Sequence, residues 1–319
     1  MRITRVTGLA LALALLGGAP AVASTGPSVH GGATTAEQQQ AVDAYWTPDR
    51  MRLAGALVPE ITPIPPDDTT PDVDTPPAPN TATTGEVWRF KGAVDGTVGR
   101  LFFTFSDGYD GSCTATVVGR DTVVTAAHCL RATGADEWRH NVYFVPGYRN
   151  GSKPHGGFSA RTMITSTDWD TGSSSQDVAA AGHDAAFAVL NRAGGRPVAE
   201  VVGSQRIGFT PPASGRFEHA FGYPHVQSGT KWLGARMVHC AGPVQQAPKT
   251  PALWGMRCDM AHGASGGPHF AEFDPATGRG RVVGVTTTGT ELGGGAGEYS
   301  YATPLGPEAA LLYAYALTR

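Results

Sequence analysis

Beyond about Val87 the chain consists of short apolar runs separated by turn-forming residues. The runs are rich in β-branched and aromatic side chains, and Gly, Asn and Asp divide them, as in VGRLFFTF, TATVVG, DTVVTA, NVYFVPG, AAFAVL and RVVGVTTTG. Runs of this length and composition are typical of β-strands. Because no long helical period interrupts them, the pattern predicts an all-β barrel or sandwich.

In this region a helical pattern begins only near the C-terminus. The last residues, PEAALLYAYALTR, start at Pro307. Proline suits the first position of a helix, where its missing N–H costs nothing. We therefore predict one terminal helix after the strands.

The region before the strands has a different amino-acid composition. Thr47 can cap a short helix that has Pro48 at its first position and Asp49 in its first turn. Residues 57–84 are then rich in Pro, Thr and Asp, with too few large apolar side chains to form a core. We predict an extended or disordered linker there and a pro-segment over residues 24–84. A permanent N-terminal tail is the alternative.

The chain begins with the pattern of a secretory signal. Its start, MRITRVTGLALALALLGGAPAVAS, has basic residues, a short apolar centre and a final Ala-Val-Ala. A Gly-Gly pair and a proline leave the apolar run too short for a membrane anchor. We predict a signal over residues 1–23, cleavage after Ala23 and export to the extracellular space, with no membrane attachment afterwards. Four cysteines in an exported protein favour two disulfides, for which three pairings are possible.

Size and charge exclude some functions. The 319 residues suffice for one or two domains, and the formal net charge of −3 gives no electrostatic case for binding nucleic acid or an anionic membrane. The ten histidines include no H-E-x-x-H helix and no paired cysteine spacing, which argues against a metalloenzyme. We expect no cofactor and no metal.

The stretch HGASGGPHF, residues 262–270, places Ser265 among residues with almost no side chain. Glycine costs chain entropy and adds no buried surface, so such a cluster needs a backbone explanation. One explanation is an ordinary tight turn. The other is a turn that presents a nucleophilic serine beside backbone N–H groups able to bind an oxyanion. The second explanation requires a base and a residue that orients the base.

A candidate base lies at the end of a predicted strand in DTVVTAAHCL. There His128 is followed by Cys129, and Cys113 lies sixteen positions before that cysteine, on the preceding strand. A hairpin that returned over this distance would bring the two sulfurs together and fix the backbone of the histidine. A lone histidine on the surface or in the core is the ordinary alternative.

The candidate orienter is Asp184, which precedes the small apolar strand in GHDAAFAVLN. A buried carboxylate needs a partner, and an imidazole N–H is a suitable one. A capping or turn aspartate is the alternative. Asp168, Asp170 and Asp177 compete for the role from the segment TSTDWDTGSSSQDV, which has the composition of a loop.

The motifs TAAHC, HDAAFAVL and GASGGP, in this order, resemble the trypsin-like (chymotrypsin-fold) serine peptidases, above all their secreted bacterial members. The resemblance covers roughly residues 95–318. It implies a double six-stranded antiparallel β-barrel with a C-terminal helix, in a peptidase domain over residues 85–319. It also implies a polypeptide substrate, and we expect a monomer. The disulfides that it implies join Cys113 to Cys129 and Cys240 to Cys258.

The resemblance also assigns roles to residues. Ser265 would attack the scissile carbonyl, His128 would accept and later donate the proton, and Asp184 would hold the imidazole tautomer. The backbone N–H groups of Gly263 and Ser265 would form the oxyanion hole. Thr287 falls where the family has a hydroxyl near the aspartate, beside bound substrate.

Two departures from the family pattern are visible. Most animal members have an acidic residue before the serine, which pairs with a freed N-terminus on activation, whereas this chain has Ala264. That activation switch should therefore be absent. A cysteine that is usual in trypsin is replaced by Ala261, so the wall of the specificity pocket is built differently.

Asp259 lies six residues before Ser265, the separation at which trypsin has its acidic pocket residue. A buried carboxylate there would favour Arg or Lys on the acyl side of the cut bond. The alternative is that Asp259 turns away and accepts from local backbone N–H groups. Bacterial glutamyl endopeptidases have a histidine where this chain has Thr286, which argues against a preference for Glu.

The residues thus predict a secreted serine endopeptidase. A catalytically inactive homologue that acts as a secreted binding module is the alternative. An esterase would share the G-x-S-x-G letters around Ser265, but its triad runs Ser, Asp, His. His269 is the only histidine after that serine and lies too close to it, so the order excludes an esterase.

Overall fold

The structure is a computed structural model that describes residues 26–55, 72–73, 75–133, 136–171, 178–210, 212–225, 234–260, 262–289 and 298–319. The predicted signal, residues 57–71 and 74 of the predicted linker, and Ala261 lie outside the described residues. The helices are α1 (Ala36–Tyr45), α2 (Pro48–Leu53), α3 (Ala93–Thr97), α4 (Val178–Ala181), α5 (Val198–Val202) and α6 (Pro307–Ala316). Within the described ranges, none of the helices is both long enough and apolar enough to cross a membrane.

The strands of the first half are β1 (Pro27–Gly31), β2 (Thr83–Val87), β3 (Val98–Thr104), β4 (Asp110–Val117), β5 (Thr122–Thr125), β6 (His140–Pro146), β7 (Phe158–Ser166) and β8 (Ala186–Leu190). Those of the second half are β9 (Arg206–Ile207), β10 (Phe217–Gly222), β11 (Val238–Pro243), β12 (Gln245–Gln246), β13 (Trp254–Arg257), β14 (Pro268–Asp274), β15 (Arg279–Gly289) and β16 (Tyr299–Pro304).

The strands form two sheets. In the first, the order is β1-β7-β6-β3-β4-β5-β8, and an additional pairing of β7 with β8 closes six of the strands into a barrel. In the second, the order is β12-β13-β16-β15-β14-β10-β11-β2, with β9 on β15 and no closing pair among the described residues. The all-β, chymotrypsin-like architecture predicted from the motifs is confirmed, as a closed barrel beside a half-barrel.

Burial explains why the runs of the closed barrel lack an alternating pattern. Every position of β3 and of β8 is buried. A strand covered on both faces reads as a continuous apolar run, whereas a half-exposed strand alternates. The predicted terminal helix is also present, since α6 begins at Pro307.

Both disulfides have the predicted pairing. Cys113 on β4 is bonded to Cys129, which ends a 3-10 turn at Ala127–Cys129. Cys240 on β11 is bonded to Cys258, directly after β13. Each bridge therefore ties a loop to a strand of its own sheet.

Residues 26–55, here called the N-terminal segment, are packed into the fold. The predicted helix α2 is present, and the Thr47 hydroxyl accepts from the Arg50 N–H at 3.3 Å. Two further elements were not predicted: β1 pairs with the edge of β7, and α1 starts with a capping box between Thr35 and Gln38. These elements are short and polar, so their stability comes from contacts distant in sequence.

The N-terminal segment contributes large side chains to the main core. Trp46 is 1 % exposed, its ring centroid lies 5.2 Å from that of Phe102, and its Nε1–H donates to the Asn141 carbonyl at 2.7 Å. Met51 has no exposed surface. Burying a side chain of this size stabilises the fold by roughly 1.5–3 kcal/mol.

The predicted linker ends earlier than expected. Residues 83 and 84 belong to β2, which pairs with β11 in the second sheet. A boundary at residue 84 would therefore cut a paired strand. The sequence does not indicate β2, because its residues are mostly polar and include a glycine. Its pairing partner β11 is also more than 150 residues away in the chain.

We predict that Met51→Ala lowers the free energy of unfolding by about 2–5 kcal/mol, because the cavity cannot fully collapse. Leu53→Ala on the same helix is the control, since Leu53 is 49 % exposed and should change the stability by less than about 0.5 kcal/mol. Urea denaturation followed by tryptophan fluorescence measures both. If both variants lowered the free energy of unfolding by the same small amount, the N-terminal segment would not be part of the cooperatively unfolding core.

Candidate active site

The first barrel brings His128 and Asp184 side by side. His128 lies in the 3-10 turn that follows β5, and Asp184 lies two residues before the start of β8. These two strands are paired, with Thr125 opposite Ala186. The strand pairing therefore determines that the two side chains meet at the same end of the barrel.

The contact between the two residues uses both carboxylate oxygens. The His128 Nδ1 lies 2.7 Å from Asp184 Oδ2, and the His128 backbone N–H donates to Asp184 Oδ1 at 2.8 Å. The side chain of Asp184 is 1 % exposed and that of His128 is 23 % exposed. A buried carboxylate that accepts from Nδ1–H leaves Nε2 as the basic nitrogen, which is the tautomer that a general base requires.

The competing aspartates have other surroundings. Asp168 lies near His183 and Glu308, with their ligand atoms within 4.8 Å of one another. The side chain of Asp170 and all of Asp177 lie outside the described residues. Among the described aspartates, Asp184 is thus the one bonded to His128.

Two groups of residues have the composition of a metal site. One comprises Cys113, His128 and Cys129, but its sulfurs are joined in a disulfide. The other comprises Asp168, His183 and Glu308. Within it His183 Nδ1 lies 2.8 Å from Glu308 Oε2, and this hydrogen bond raises the pKa of His183. The histidine and the glutamate are therefore each other's hydrogen-bond partners.

The loop that carries Ser265 is attached to the first barrel through Thr114, a fully buried residue of β4. The Thr114 N–H donates to the Ser265 carbonyl at 2.8 Å. The Thr114 hydroxyl donates to the Gly263 carbonyl at 2.9 Å and accepts from the Tyr223 N–H at 2.9 Å. Two hydrogen bonds thus join Thr114 of the first barrel to the serine loop, and a third joins it to Tyr223, which directly follows β10 of the second sheet.

The glycines allow this loop to approach the first barrel closely. Gly266 has φ +77°, and a Cβ built on it would lie 2.1 Å from Thr125 Oγ1 and 2.4 Å from the Thr114 carbonyl oxygen. Only glycine fits such a contact at a positive φ. Because Thr125 ends β5 just before His128, this contact also brings Ser265 toward the imidazole.

Hydrogen bonds orient the first of two peptide groups beside the serine. The His262 carbonyl accepts from the His225 N–H at 2.7 Å. In a trans peptide the C=O and the N–H point in opposite directions, so the Gly263 N–H points away from His225. Gly263 has φ +92°, and a Cβ on it would lie 2.5 Å from the His225 ring.

The second peptide group is held by a tight turn. The Ala264 carbonyl accepts from the Gly267 N–H at 2.8 Å, which directs the Ser265 N–H to the opposite side. Among the described residues, neither the Gly263 N–H nor the Ser265 N–H donates a hydrogen bond, and none joins the Ser265 hydroxyl to His128. Catalytic hydrogen bonds are often long in the absence of substrate. Both N–H groups are therefore available to a bound oxyanion.

Strand β2 lies directly against Asp259. The Asp259 N–H donates to the Thr84 carbonyl at 2.8 Å. A Cβ built on Gly85 would lie 1.6 Å from Asp259 Oδ1. The half-buried Asp259 thus lies against the backbone of β2, and a role of its carboxylate in substrate binding stays a prediction.

Thr287 has a different contact from the one expected of it. Its hydroxyl lies 2.6 Å from the Thr303 hydroxyl, which donates to the Ala181 carbonyl at 2.7 Å. The Asp184 carboxylate instead accepts both of its hydrogen bonds from His128. A role of Thr287 in substrate binding stays a prediction.

Comparisons with known proteins agree with this fold. The trypsin family model matches residues 99–307. The solved protease Anisep from Arthrobacter nicotinovorans is 29 % identical, with a TM-score of 0.62 over 74 % of this chain and 100 % of that chain. The thermostable serine protease AL20 from an extremophilic microorganism is 31 % identical, with a TM-score of 0.61 over 71 % of this chain and 99 % of that chain.

Two further relatives carry the name Glu or glutamyl endopeptidase. That of Bacillus licheniformis is 25 % identical over 168 residues, which are 52 % of this chain and 48 % of the relative. The chain thus spans about half the length of this curated relative. A solved Glu endopeptidase in complex with MPD is 17 % identical, with a TM-score of 0.57 over 74 % of this chain and 97 % of that chain, and is similar in fold.

The family model covers well over half of the chain, so the protein belongs to the trypsin family of serine peptidases. This confirms the resemblance carried by the three motifs. Thr114 was not among the predicted site residues, because a threonine in TATVVG fits any buried strand. Its position next to Cys113 is the one sequence signal that could have singled it out.

We predict that Thr114→Val lowers kcat for peptide hydrolysis about 10- to 100-fold, since a small displacement of the serine loop would move Ser265 relative to His128. It should also lower the free energy of unfolding by about 1–3 kcal/mol, because the Gly263 carbonyl and the Tyr223 N–H lose their partner.

Thr116→Val is the matched control, since Thr116 lies on the same strand, is fully buried, and has a hydroxyl without a hydrogen-bond partner in the structure. It should leave kcat unchanged and keep or raise the stability. Steady-state kinetics and urea denaturation give both readouts. Equal kcat values for the two variants would contradict the role assigned to Thr114.

Proposed function

We propose that the protein is a secreted serine endopeptidase that cleaves polypeptides through an acyl-enzyme intermediate. Ser265 is the nucleophile, His128 the general base and Asp184 the residue that orients the base. Membership of the trypsin family supports the class of reaction. The observation that carries the assignment is the buried Asp184 carboxylate, which accepts hydrogen bonds from both the ring and the backbone of His128.

The reaction follows from these positions. The Ser265 Oγ attacks the scissile carbonyl carbon while its proton passes to His128 Nε2. The carbonyl oxygen becomes an oxyanion and accepts hydrogen bonds from the Gly263 and Ser265 N–H groups. The intermediate collapses, the C–N bond breaks, and the imidazolium donates its proton to the leaving amine. Water then hydrolyses the ester by the same two proton transfers.

Secretion and processing belong to the same proposal. The basic and apolar start of the chain is a secretory signal, and two disulfides are typical of an oxidising compartment. A Pro- and Thr-rich linker is a favoured site of proteolytic nicking. We place the processing cut before β2, within residues 57–82, so that the strand stays whole.

We predict that Ser265→Ala or His128→Ala lowers kcat by about a million-fold, since the nucleophile and its base act as one unit. Asp184→Asn should cost about ten-thousand-fold, because it imposes the wrong imidazole tautomer. Asp168→Asn is the control and should hydrolyse peptides at close to the wild-type rate. The readout is cleavage of a fluorogenic peptide by each folded variant. Near-normal activity of Asp184→Asn would overturn the proposed orienter.

Asp259 carries the proposed substrate preference. A half-buried carboxylate near the serine attracts a cationic side chain, so the proposal includes a preference for Arg or Lys before the cut bond. Its contacts with Thr84 and Gly85 give the same residue a structural role in holding β2. The named activity of the glutamyl endopeptidase relatives makes Glu the competing preference.

We predict that peptides ending in Arg or Lys before a fluorogenic leaving group react fastest, and that Asp259→Ser removes this advantage over Phe, Ala and Glu peptides. A stability measurement on the same variant separates the two roles of Asp259. Loss of stability with an unchanged order of substrates would leave only the structural role. If the peptide ending in Glu reacts fastest, this chain instead has the preference for Glu that the names of its relatives state.

A further inference from the structure

Arg100 on β3 is a buried cation whose hydrogen bonds hold the N-terminal segment. Its side chain has no exposed surface. Its Nη1 donates to the Met51 carbonyl at 3.1 Å, and its Nη2 donates to the Ala54 carbonyl at 2.7 Å. Both carbonyls lie at the C-terminal end of α2, where helix carbonyls lack intrahelical partners and attract positive charge.

The other hydrogen-bond acceptors of Arg100 lie on β4 and in the loop between β10 and β11. Nε and Nη2 donate to the Ser112 hydroxyl at 3.1 and 2.8 Å, and Nη1 donates to the Gly234 carbonyl at 3.3 Å. None of its hydrogen bonds with described residues reaches a carboxylate. A buried cation without a carboxylate depends on its neutral acceptors, so removal of the N-terminal segment would leave Arg100 poorly satisfied.

The same contacts lead from Arg100 to the serine loop. The Gly234 N–H donates to the Pro224 carbonyl at 2.8 Å. The next residue, His225, donates its N–H to the His262 carbonyl at 2.7 Å. That carbonyl belongs to the peptide group whose N–H is supplied by Gly263. The loop bound by Arg100 is therefore the loop that orients the proposed oxyanion donor.

The ring of His225 lies between the N-terminal segment and the serine loop. A Cβ built on Gly55 would lie 2.3 Å from His225 Nε2, and one built on Gly263 would lie 2.5 Å from His225 Cδ2. Burial lowers the pKa of His225 to about 3, so the ring is neutral near pH 7. A neutral ring can pack between two glycine backbones without a counter-ion.

Among the described residues, no second hydrogen bond holds the His262 carbonyl. Ala264 occupies the position at which an acidic residue could pair with a freed N-terminus, and it is 1 % exposed. A peptide group beside a flexible glycine can turn over unless its carbonyl is held. Here the carbonyl is held by the His225 N–H.

We propose that the N-terminal segment, docked on Arg100, holds the His262–Gly263 peptide in the orientation that directs the Gly263 N–H toward the oxyanion. Gly55 and Arg100 act on this peptide through His225, which is a positioning residue. The segment remains bound to the peptidase domain when the linker is cut. The inference deepens the proposed function and rests on it.

Gly55→Ala tests the contact with His225. Gly55 has φ +85°, and the added methyl would displace the His225 ring. We expect kcat and kcat/KM to fall together by about 10- to 100-fold, because the loss of one oxyanion donor costs about 100- to 1,000-fold. A purely structural role would lower the melting temperature without this joint fall.

Gly108→Ala is the matched control. Gly108 has φ +90°, and a Cβ on it meets no atom within 4 Å. It therefore imposes the same backbone strain without touching the site, and its kcat should stay at the wild-type value. If Gly55→Ala and Gly108→Ala have equal kcat in an active wild-type background, the inference is wrong and the proposed function stands. If the wild-type chain hydrolyses no peptide, both are wrong.

A second measurement leaves every residue that the structure describes unchanged. Residues 61–67 of the otherwise intact chain are replaced by the recognition sequence of a site-specific viral peptidase. The purified protein is then cut at this sequence with that peptidase. We expect the N-terminal fragment to elute with the peptidase domain in gel filtration and kcat to be kept. Separation of the fragments with loss of kcat supports the positioning role but contradicts continued binding of the cut segment. Separation with full kcat overturns the inference.

Discussion

The hydrogen bonds of Thr114 are the constraint on which the arrangement of the site depends. The proposed nucleophile belongs to one sheet and the proposed base to the other, so the chemistry requires the two sheets to hold a fixed relative position. Thr114 supplies that constraint with short, fully buried contacts to Ser265, Gly263 and Tyr223. Hydrogen bonds in a buried, low-dielectric setting are stronger than the same bonds in water, and they also cost more to break.

The disulfide next to Thr114 extends this constraint to the base. Cys113 precedes Thr114 in β4, and its partner Cys129 follows His128 in the chain. Movement of the 3-10 turn that carries the histidine would therefore strain the strand that holds the serine loop. The glycines of GASGGP complement the same contact, because their lack of side chains lets the loop lie against β4 and β5. Their entropic cost is offset by hydrogen bonds that a bulkier loop could not reach.

The parts of the fold and site that local patterns determine could be predicted from the sequence. The strands after Val87, the start of α6 at Pro307 and the start of α2 at Pro48 all follow from residues adjacent in the chain. The requirement of a buried carboxylate for a partner made Asp184 a candidate, and the family resemblance singled it out among the aspartates; in the structure it contacts His128. The pairing of the two disulfides came from the family resemblance.

Features that depend on distant contacts could not be predicted. Strand β1 and helix α1 carry few apolar residues, and their place in the fold comes from pairing with β7 and from packing on the barrel. From the sequence alone, Arg100 is indistinguishable from a polar residue on an exposed strand. Only the assembled fold shows that Arg100 is buried, and that its acceptors lie in the N-terminal segment, on β4 and in a loop of the second sheet.

The central claim is that Ser265 and the two N–H groups beside it form one reaction centre with His128 and Asp184. A crystal structure of the protein after treatment with an organophosphate inhibitor tests this claim most directly. The account predicts a phosphorus atom bonded to Ser265 Oγ, with a phosphoryl oxygen about 2.7–3.1 Å from the N–H groups of Gly263 and Ser265. A missing adduct, an adduct on another residue, or a phosphoryl oxygen turned away from the Gly263 N–H would contradict it.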